Sequence, residues 1–307
     1  MDLKNIIVLG DCIEKMKLIP DCTMAGCVTD PPYNYEFIGR NWDYYEINRR
    51  TSRVESDSST LVKNIPYGSG LAGGVRNKRW YSRNRENVLK YQDWCEKWGK
   101  ELFRILKPGA YALVFNSTRT VAQVQVAMEN VGFYARDILV WKRPSGIPKG
   151  LNYAKKLAKM GVDSATDWDA WHSCLRNEWE AISVVQKPLV NNYLQTMQTY
   201  GVGLMKAKNN NGFLSNIIDG VKRDKTDEYN IHCTVKPLEL IKKLAELVVP
   251  ISDENILIDP FLGSGTTAVA CKELGINYYG IEINQEYVDI AHMRINECIN
   301  KQDFFSA

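Results

Sequence analysis

Short apolar runs alternate with amphipathic stretches at both ends of the chain. The apolar runs predict buried strands, and apolar residues that recur every three or four positions predict helices between them. This alternation is typical of an α/β fold built on a parallel sheet. Trp94 and Trp98 lie on the apolar face of a predicted helix and are expected to be core residues. The predicted strands are 5–9, 25–29, 111–115, 138–141, 256–258 and 277–282, and the predicted helices are 11–18, 94–106, 121–131, 237–248, 267–274 and 285–299.

The alternation fails over two long segments. Residues 34–90 are polar, basic and aromatic, contain a cluster of glycines and have no regular period. A loop of that length is usually functional, and we expect it to act as a mobile flap. Residues 145–231 are rich in Asn and Gln and contain several tryptophans, although the run at 184–188 predicts a strand that returns to the core.

The net charge of +3 is unevenly distributed. Residues 40–90 carry 11 Lys/Arg against 5 Asp/Glu, and residues 141–231 carry 13 against 9. The two remaining end segments have acidic excesses, with 3 against 6 over residues 1–39 and 6 against 11 over residues 232–307. A basic excess in the parts least like a core fits contact with phosphates. An ordinary solvated surface is the alternative for either segment.

The composition of the 307 residues is that of a globular protein, with 45% hydrophobic and 24% charged residues. The chain has no apolar run long enough to span a membrane, and its N-terminus does not resemble a signal peptide. Its eight cysteines include no Cys-x-x-Cys pair. This pattern argues against a zinc site or a disulfide framework and favours a reducing cytoplasm.

The stretch from Asp30 to Tyr33 follows the predicted strand at 25–29. Pro31 and Pro32 hold it extended and remove two backbone donors, which leaves the Asp30 carboxylate and the Pro31 carbonyl as acceptors beside the Tyr33 ring. An exocyclic amine on adenine or cytosine offers two N–H donors and a ring face to such a surface. Two acceptors can also accommodate the charge that develops when the amine attacks. The alternative is a Pro-Pro turn with an Asp cap.

A glycine-rich stretch follows the predicted strand at 256–258 and precedes a helix. Gly263 and Gly265 allow a ligand to approach the backbone closely, and the helix N-terminus favours polar or anionic groups. The next predicted strand ends at Glu282, at a distance that suits a carboxylate binding ribose hydroxyls. The stretch lacks both the Gly-Lys-Ser/Thr ending of a phosphate loop and the third glycine of the dinucleotide fingerprint. An ordinary strand-turn-helix remains the alternative.

Together the two stretches resemble the amino-group DNA methyltransferases, and their order resembles the β-type permutation of that family. The likeness covers roughly residues 5–43, 94–143 and 232–298. It implies a doubly wound, Rossmann-like class I S-adenosylmethionine methyltransferase sheet with an inserted target-recognition region. The implied domains are 1–144 as the catalytic half of the core, which includes the 34–90 flap, 145–231 as the recognition region, and 232–307 as the cofactor-binding half.

The resemblance also implies roles for individual residues, with S-adenosylmethionine as cofactor and no metal. The catalytic residues would be Asp30, Pro31, Pro32 and Tyr33, with Tyr33 stacking on a flipped base. Cofactor contacts would come from Asp11 at the adenine, Glu282 at the ribose, Thr234 and Lys236 at the methionine end, Asp259 near the ammonium group, Phe261 along the cofactor, and Gly263, Gly265 and Thr266 in the loop.

Two of these residues have open alternatives, and the residue before Thr234 departs from the family pattern. Asp11, with Glu14 three residues on, is equally a helix cap. Lys236 is alternatively a surface lysine before a helix. Cys233 stands where the family has proline, which we expect to alter local rigidity.

The implied reaction is methyl transfer to adenine N6 in double-stranded DNA. Adenine is preferred because an Asp opens the tetrapeptide mostly in adenine enzymes of the β type, and cytosine N4 is the alternative. A non-catalytic DNA-binding protein of the same fold and, less favoured, a nicotinamide dehydrogenase also remain open. By analogy with the family, a homodimer and a cognate restriction endonuclease are possible partners, in the cytoplasm of a prokaryotic or phage-infected cell.

All of these expectations require one spatial relationship. Residues 30–33 and 261–265 must follow neighbouring strands of a single sheet, with an open channel between Tyr33 and Phe261. The carboxyl edge of an open α/β sheet is where ligands bind.

Overall fold

The computed structural model describes residues 3–33, 78–143, 150–221 and 235–306. Its strands are β1 (Ile6–Leu9), β2 (Gly26–Thr29), β3 (Tyr111–Asn116), β4 (Tyr134–Lys142), β5 (Trp179–Gln186), β6 (Lys208–Asn209), β7 (Gly212–Phe213), β8 (Ile217–Ile218), β9 (Ile256–Asp259) and β10 (Asn277–Glu282). Its α-helices are α1 (Cys12–Met16), α2 (Lys78–Ile105), α3 (Val121–Asn130), α4 (Tyr153–Ala158), α5 (Tyr193–Tyr200), α6 (Leu238–Val248), α7 (Thr266–Leu274) and α8 (Gln285–Ser306).

Among the described residues, eight strands form one sheet in the order β1-β10-β9-β2-β3-β5-β4-β8. Neighbouring strands are parallel except around β5, which runs antiparallel to both β3 and β4. The sheet is therefore parallel, as predicted from the sequence, except at β5, where it is mixed. The chain leaves β4 at Lys142 and re-enters the sheet at Trp179, and these two residues pair with each other. Because the chain returns to the edge that it left, β5 has to run in the opposite direction.

The central strands β2 and β9 are hydrogen-bonded neighbours. Gly26 lies opposite Leu257 and Cys27 lies opposite Ile258 in a parallel register. The segments that follow these strands, residues 30–33 and 261–265, consequently emerge side by side at the carboxyl edge of the sheet. This adjacency is the one that the sequence predicted.

Fully buried strands and helix faces form the core. All residues of β2, β3 and β9 are buried, and α6 buries one face. Trp98 is fully buried, as predicted, whereas Trp94 is only half-buried. Helix α2 begins at Lys78, so residues 78–90 are helical and not part of a loop. The predicted flap was too long because charged residues obscure the apolar period there.

The chain divides into two compact units. The first contains the sheet and comprises Met1–Tyr33, Gln92–Pro144 and Trp179–Ala307, and the second comprises Asn34–Tyr91 and Ser145–Glu178. In the second unit, the ring of Trp168 packs edge-to-face against those of Tyr153 and Trp171.

The boundaries of the predicted domains stay predictions. Residues 34–77, which make up most of the flap, lie outside the described residues, and so do 222–234, which include Thr234 and Cys233. Within the predicted recognition region, β5 is part of the main sheet. None of the helices in the described ranges has the length and apolar character needed to cross a membrane.

Candidate active site

Asp30 lies directly after β2, and its two carboxylate oxygens differ in their surroundings. Its Oδ2 receives a hydrogen bond from the Lys236 ammonium. Its Oδ1 is buried and has no hydrogen-bond partner among the described residues. A buried acceptor without a donor typically costs about 1–3 kcal/mol, so the site is suited to a ligand that brings an N–H group.

The side chain of Lys236 is 9% exposed and lies within a ring of acidic and aromatic groups. Its Nζ is 3.5 Å from Glu180 Oε2, in addition to its contact with Asp30. The same atom lies 5.3 Å from the ring centroid of Tyr33 and 4.9 Å from that of Phe115. The surface-lysine alternative is therefore excluded. The predicted contact of Lys236 with the methionine end of the cofactor stays a prediction.

Glu180, at the start of β5, is a site residue that sequence reasoning missed. Its Oε1 accepts a hydrogen bond from Arg143 Nη1 at 3.0 Å, and its Oε2 accepts one from the Tyr33 hydroxyl at 3.3 Å. Burial raises the pKa of Tyr33 well above its usual value, and the carboxylates of Asp30 and Glu180 add to this rise. Tyr33 is thus a neutral hydrogen-bond donor. The sequence feature that could have indicated Glu180 as a site residue is its position directly before the strongly apolar run of β5.

Asp259 ends β9 and is buried beneath the two loops. Its Oδ1 accepts hydrogen bonds from the Thr29 hydroxyl and the Phe261 amide, and its Oδ2 accepts one from the Thr267 hydroxyl. Burial raises the pKa of Asp259 to about 6, although these hydrogen bonds oppose the rise. Both carboxylate oxygens are thus used inside the fold, and contact of Asp259 with the cofactor ammonium stays a prediction.

The glycine-rich loop is held by groups from two other elements. The Gly263 amide donates to Glu282 Oε2 at 2.8 Å, which links the loop to the end of β10. The Arg294 guanidinium, from α8, donates to the Ser264 carbonyl at 2.7 Å and to the Thr266 hydroxyl at 3.0 Å. Arg294 was not recognised from the sequence because its partners lie about thirty residues earlier, on another element.

Gly263 and Gly265 both have positive φ angles, but their surroundings differ. At Gly263, φ is 56° and an added Cβ would meet nothing within 4 Å. At Gly265, φ is 87° and a Cβ would lie 2.6 Å from that of Ala291 in α8. The first glycine therefore opens space above the loop, whereas the second permits close packing of two helices.

Two further acids lie at the ends of β1 and β10. Asp11 caps α1, with its Oδ1 accepting from the amides of Ile13 and Glu14 at 2.9 and 3.1 Å. The cap interpretation is confirmed, and a second role at the cofactor adenine stays a prediction. Glu282 Oε1 accepts from the Asn284 amide at 2.9 Å, and burial raises the pKa of the Glu282 carboxyl. The amide of Gly10, the residue before Asp11, donates to the Glu282 carbonyl at 2.8 Å. Asp11 and Glu282 therefore lie close together at the edge of the sheet.

A cleft runs between the loops that follow β2 and β9. The ring centroid of Phe261 lies 5.6 and 5.5 Å from those of Trp94 and Trp98, which hold it in place. Tyr33 does not itself line the cleft, but it contacts Lys236, which does. The lining residues are Val28, Thr29, Asp30, Phe115, Val235, Lys236, Ile241, Phe261, Leu262, Gly263, Ser264, Thr266, Thr267 and Tyr287.

Residues 24–293 match a family model described as DNA methylase. The chain belongs to the DNA methylase family. The amino-group DNA methyltransferase predicted from the two motifs is thereby confirmed, together with its dependence on S-adenosylmethionine. The assignment of individual site residues within this methylase remains a prediction.

Curated relatives match nearly the whole methylase chain. It is 29% identical over 321 residues to Type II methyltransferase M.HindIII of Haemophilus influenzae, covering 98% of this chain and 97% of the relative. It is 27% identical over 300 residues to Type II methyltransferase M.HinfI of Haemophilus influenzae, covering 96% and 69% of the two chains.

Solved structures confirm the fold of this methylase. A complex of M1.HpyAVI with S-adenosylmethionine matches with a TM-score of 0.55 and 19% identity, covering 94% of this chain and 98% of the other. The cytosine-N4-specific PvuII DNA methyltransferase matches with a TM-score of 0.57 and 14% identity, covering 96% and 91%. At these identities the likeness concerns the fold alone, which is the class I methyltransferase sheet predicted from the sequence.

Proposed function

We propose that this methylase transfers a methyl group from S-adenosylmethionine to N6 of a flipped adenine at a specific site in double-stranded DNA. The observation that carries the proposal is that Asp30, which lines a cleft with the glycine-rich loop, has a buried Oδ1 with no hydrogen-bond partner in the described part of the chain. An exocyclic amine is the group that this acceptor lacks. Adenine is preferred because Asp, at position 30, opens the tetrapeptide.

The residues around the glycine-rich loop suit a nucleoside-bearing cofactor. Above Gly263 the space that a Cβ would occupy is open, so a ligand can lie against the backbone. Each carboxylate oxygen of Glu282 accepts one hydrogen bond from a backbone amide, and each has a further lone pair that can accept from a ribose hydroxyl. Phe261 is fixed by two tryptophans as an apolar surface. When bound, S-adenosylmethionine supplies an electrophilic methyl group on a sulfonium that leaves as a neutral thioether.

The chain's own groups act mainly on the amine. The lone pair of an aromatic amine is delocalised into its ring, which makes the nitrogen a weak nucleophile. Asp30 Oδ1 and the Pro31 carbonyl would accept hydrogen bonds from the two N–H groups, localise that lone pair and stabilise the positive charge that forms on nitrogen. The nitrogen gains the methyl group as the C–S bond breaks, and it then releases one proton to water, which returns it to a neutral amine. Tyr33 would stack on the base, with its hydroxyl held by Glu180. Because transfer is direct, no covalent enzyme intermediate is required.

The decisive experiment combines the protein with labelled S-adenosylmethionine and unmethylated genomic DNA. We expect label in the DNA, and sequencing for modified bases should find N6-methyladenine within one short motif. Methylation at cytosine N4 would replace the adenine assignment and leave the rest of the proposal standing. Cofactor binding without any transfer would instead indicate a non-catalytic DNA-binding protein.

The finer expectations about partners and location belong to this proposal. Type II relatives support a cognate restriction endonuclease, a homodimer rests on family analogy, and the scattered cysteines support a cytoplasmic setting. Light scattering of the purified protein over a concentration series tests the dimer. A constant monomer mass in the presence of cofactor and DNA would contradict it.

A further inference from the structure

Four charged side chains form one chain of contacts beside the amine site. Lys236 bridges Asp30 and Glu180, and Glu180 in turn bridges Lys236 and Arg143. The Tyr33 hydroxyl is bound to the same Glu180 oxygen that faces Lys236. Two carboxylates thus balance two cations, and Glu180 contacts both cations and the Tyr33 hydroxyl.

We propose that Glu180 is a positioning residue for methyl transfer, which holds Lys236 and Tyr33 so that Asp30 Oδ1 stays available to the amine. This inference rests on the proposed function and adds to it a residue outside both sequence motifs. Glu180 acts through Asp30 and Tyr33 and does not need to touch the base.

The location of Glu180 suits a fixed anchor. Its side chain is 15% exposed, and it is the second residue of β5, where the next residue, Ala181, pairs with Asn116 on one side and Val140 on the other. Since β5 is antiparallel to β3, its amino end lies at the carboxyl edge of the sheet. A strand hydrogen-bonded on both sides holds a side chain more precisely than a loop does.

Charge balance gives Glu180 its expected effect on the reaction. Positive charge develops on the amino nitrogen as the methyl group arrives, and Asp30 stabilises that charge. Lys236 opposes it, because the ammonium lies against the same carboxylate. The negative charge of Glu180 offsets part of the positive potential that Lys236 produces at Asp30, and it also balances the charge of Arg143. Without the charge of Glu180, the cluster would carry one excess positive charge beside the Asp30 carboxylate that is proposed to bind the amine, in a partly buried site.

The test begins with Glu180→Gln, which keeps the shape and can still accept from Tyr33. We expect kcat to fall about 100-fold, because an uncompensated charge at short range acts on the transition state. The dissociation constant for S-adenosylmethionine should change much less than kcat. The melting temperature should fall, because Lys236 and Arg143 lose a carboxylate partner in a partly buried site, so kcat is compared where both proteins are folded. Glu178→Gln is the matched control, since Glu178 lies two residues earlier and pairs with Arg176. It should leave kcat unchanged.

The double variant Glu180→Gln with Arg143→Met separates charge balance from a purely structural role. Removing the second charge restores a neutral cluster, so kcat should recover about 10-fold relative to Glu180→Gln alone. A double variant that is slower than the single one, or a Glu180→Gln enzyme as fast as the wild type, would overturn the inference while leaving the proposed function intact. A wild-type protein that methylates no DNA would overturn both.

Discussion

The Thr29 hydroxyl donates a 2.7 Å hydrogen bond to Asp259 Oδ1, and both groups are buried. Thr29 is the last residue of β2 and Asp259 is the last residue of β9. Asp259 also binds the Phe261 amide and the Thr267 hydroxyl. One carboxylate therefore joins the strand that delivers Asp30 to the loop that contains Gly263, and it fixes the spacing between the two halves of the site.

The burial of Asp259 predicts a pH dependence of stability. Its pKa in the fold is about 6, above the ordinary value of an unfolded aspartate, so the folded state binds its proton more tightly. As pH rises through this range, the wild type should lose stability relative to Asp259→Asn, by about 1 kcal/mol between roughly pH 5 and 7.5. Urea unfolding of both proteins at the two pH values measures this difference.

Subtracting the unfolding free energy of one protein from that of the other cancels the contribution of other titrating groups. Glu282 is one of these groups, because burial raises its pKa as well. A constant stability difference between wild type and Asp259→Asn across that range would show that Asp259 has an ordinary pKa.

Asp30→Ala should abolish methyl transfer while S-adenosylmethionine binding survives. The amine loses its carboxylate acceptor, and removal of one such preorganised group typically costs about 100-fold or more in kcat. Asp30→Asn keeps the volume and provides the matched comparison. Single-turnover transfer and calorimetric titration of the cofactor are the two measurements. A parallel loss of transfer and of cofactor affinity would assign Asp30 to the cofactor site instead.

Glu282→Ala should have the opposite profile. The variant loses both the ribose acceptor and the bond to the Gly263 amide, so affinity for S-adenosylmethionine should fall by roughly 10- to 100-fold, as for a charged hydrogen bond. With saturating cofactor, kcat should stay near the wild-type value. Glu282→Gln retains acceptors for the backbone amides and should lose less. Unchanged cofactor affinity in the alanine variant would refute the assignment.

Three alanine substitutions separate backbone strain from ligand contact in the glycine-rich loop. Gly263, Gly265 and Gly275 all have positive φ, so each alanine should cost about 1 kcal/mol of stability from strain. Gly263→Ala should in addition weaken cofactor binding, because its methyl group enters the open space above the loop. Gly275→Ala, at the C-terminal end of α7, meets nothing within 4 Å and is the control.

Gly265→Ala should be the least stable of the three, since its methyl group would approach the Cα of Ala291 to 2.9 Å. Thermal unfolding and cofactor titration of the three variants measure both effects. Equal cofactor affinity in Gly263→Ala and Gly275→Ala would exclude close approach at Gly263.

The adjacency of Asp30 and Phe261 was predictable from sequence because it depends on local signals. Each residue follows a short apolar run, and parallel strands end at one edge of a sheet. The cap at Asp11 was predictable for the same reason, since its partners are two and three residues away. Hydrophobic period and turn residues carry this kind of information directly.

The contacts of Glu180, Lys236 and Arg294 were not predictable, because they depend on how distant elements pack. Glu180 reaches the site only because β5 is reversed and lies between β3 and β4. Lys236 contacts a carboxylate 206 positions away. Arg294 supports the glycine-rich loop from α8, where the sequence alone suggests an ordinary surface helix. A pattern within one element carries no signal of such partners.

The ion pair between Arg143 and Glu180 links the end of β4, where the chain leaves the sheet, to the start of β5, where it returns. Lys142 and Trp179 are hydrogen-bonded neighbours just inside it, so the intervening segment begins and ends on a closed pair of strands. We therefore expect changes in the length of that segment to leave the register of both strands unchanged. The proposed choice of DNA sequence could thus diversify among relatives while the methylating machinery is inherited unaltered.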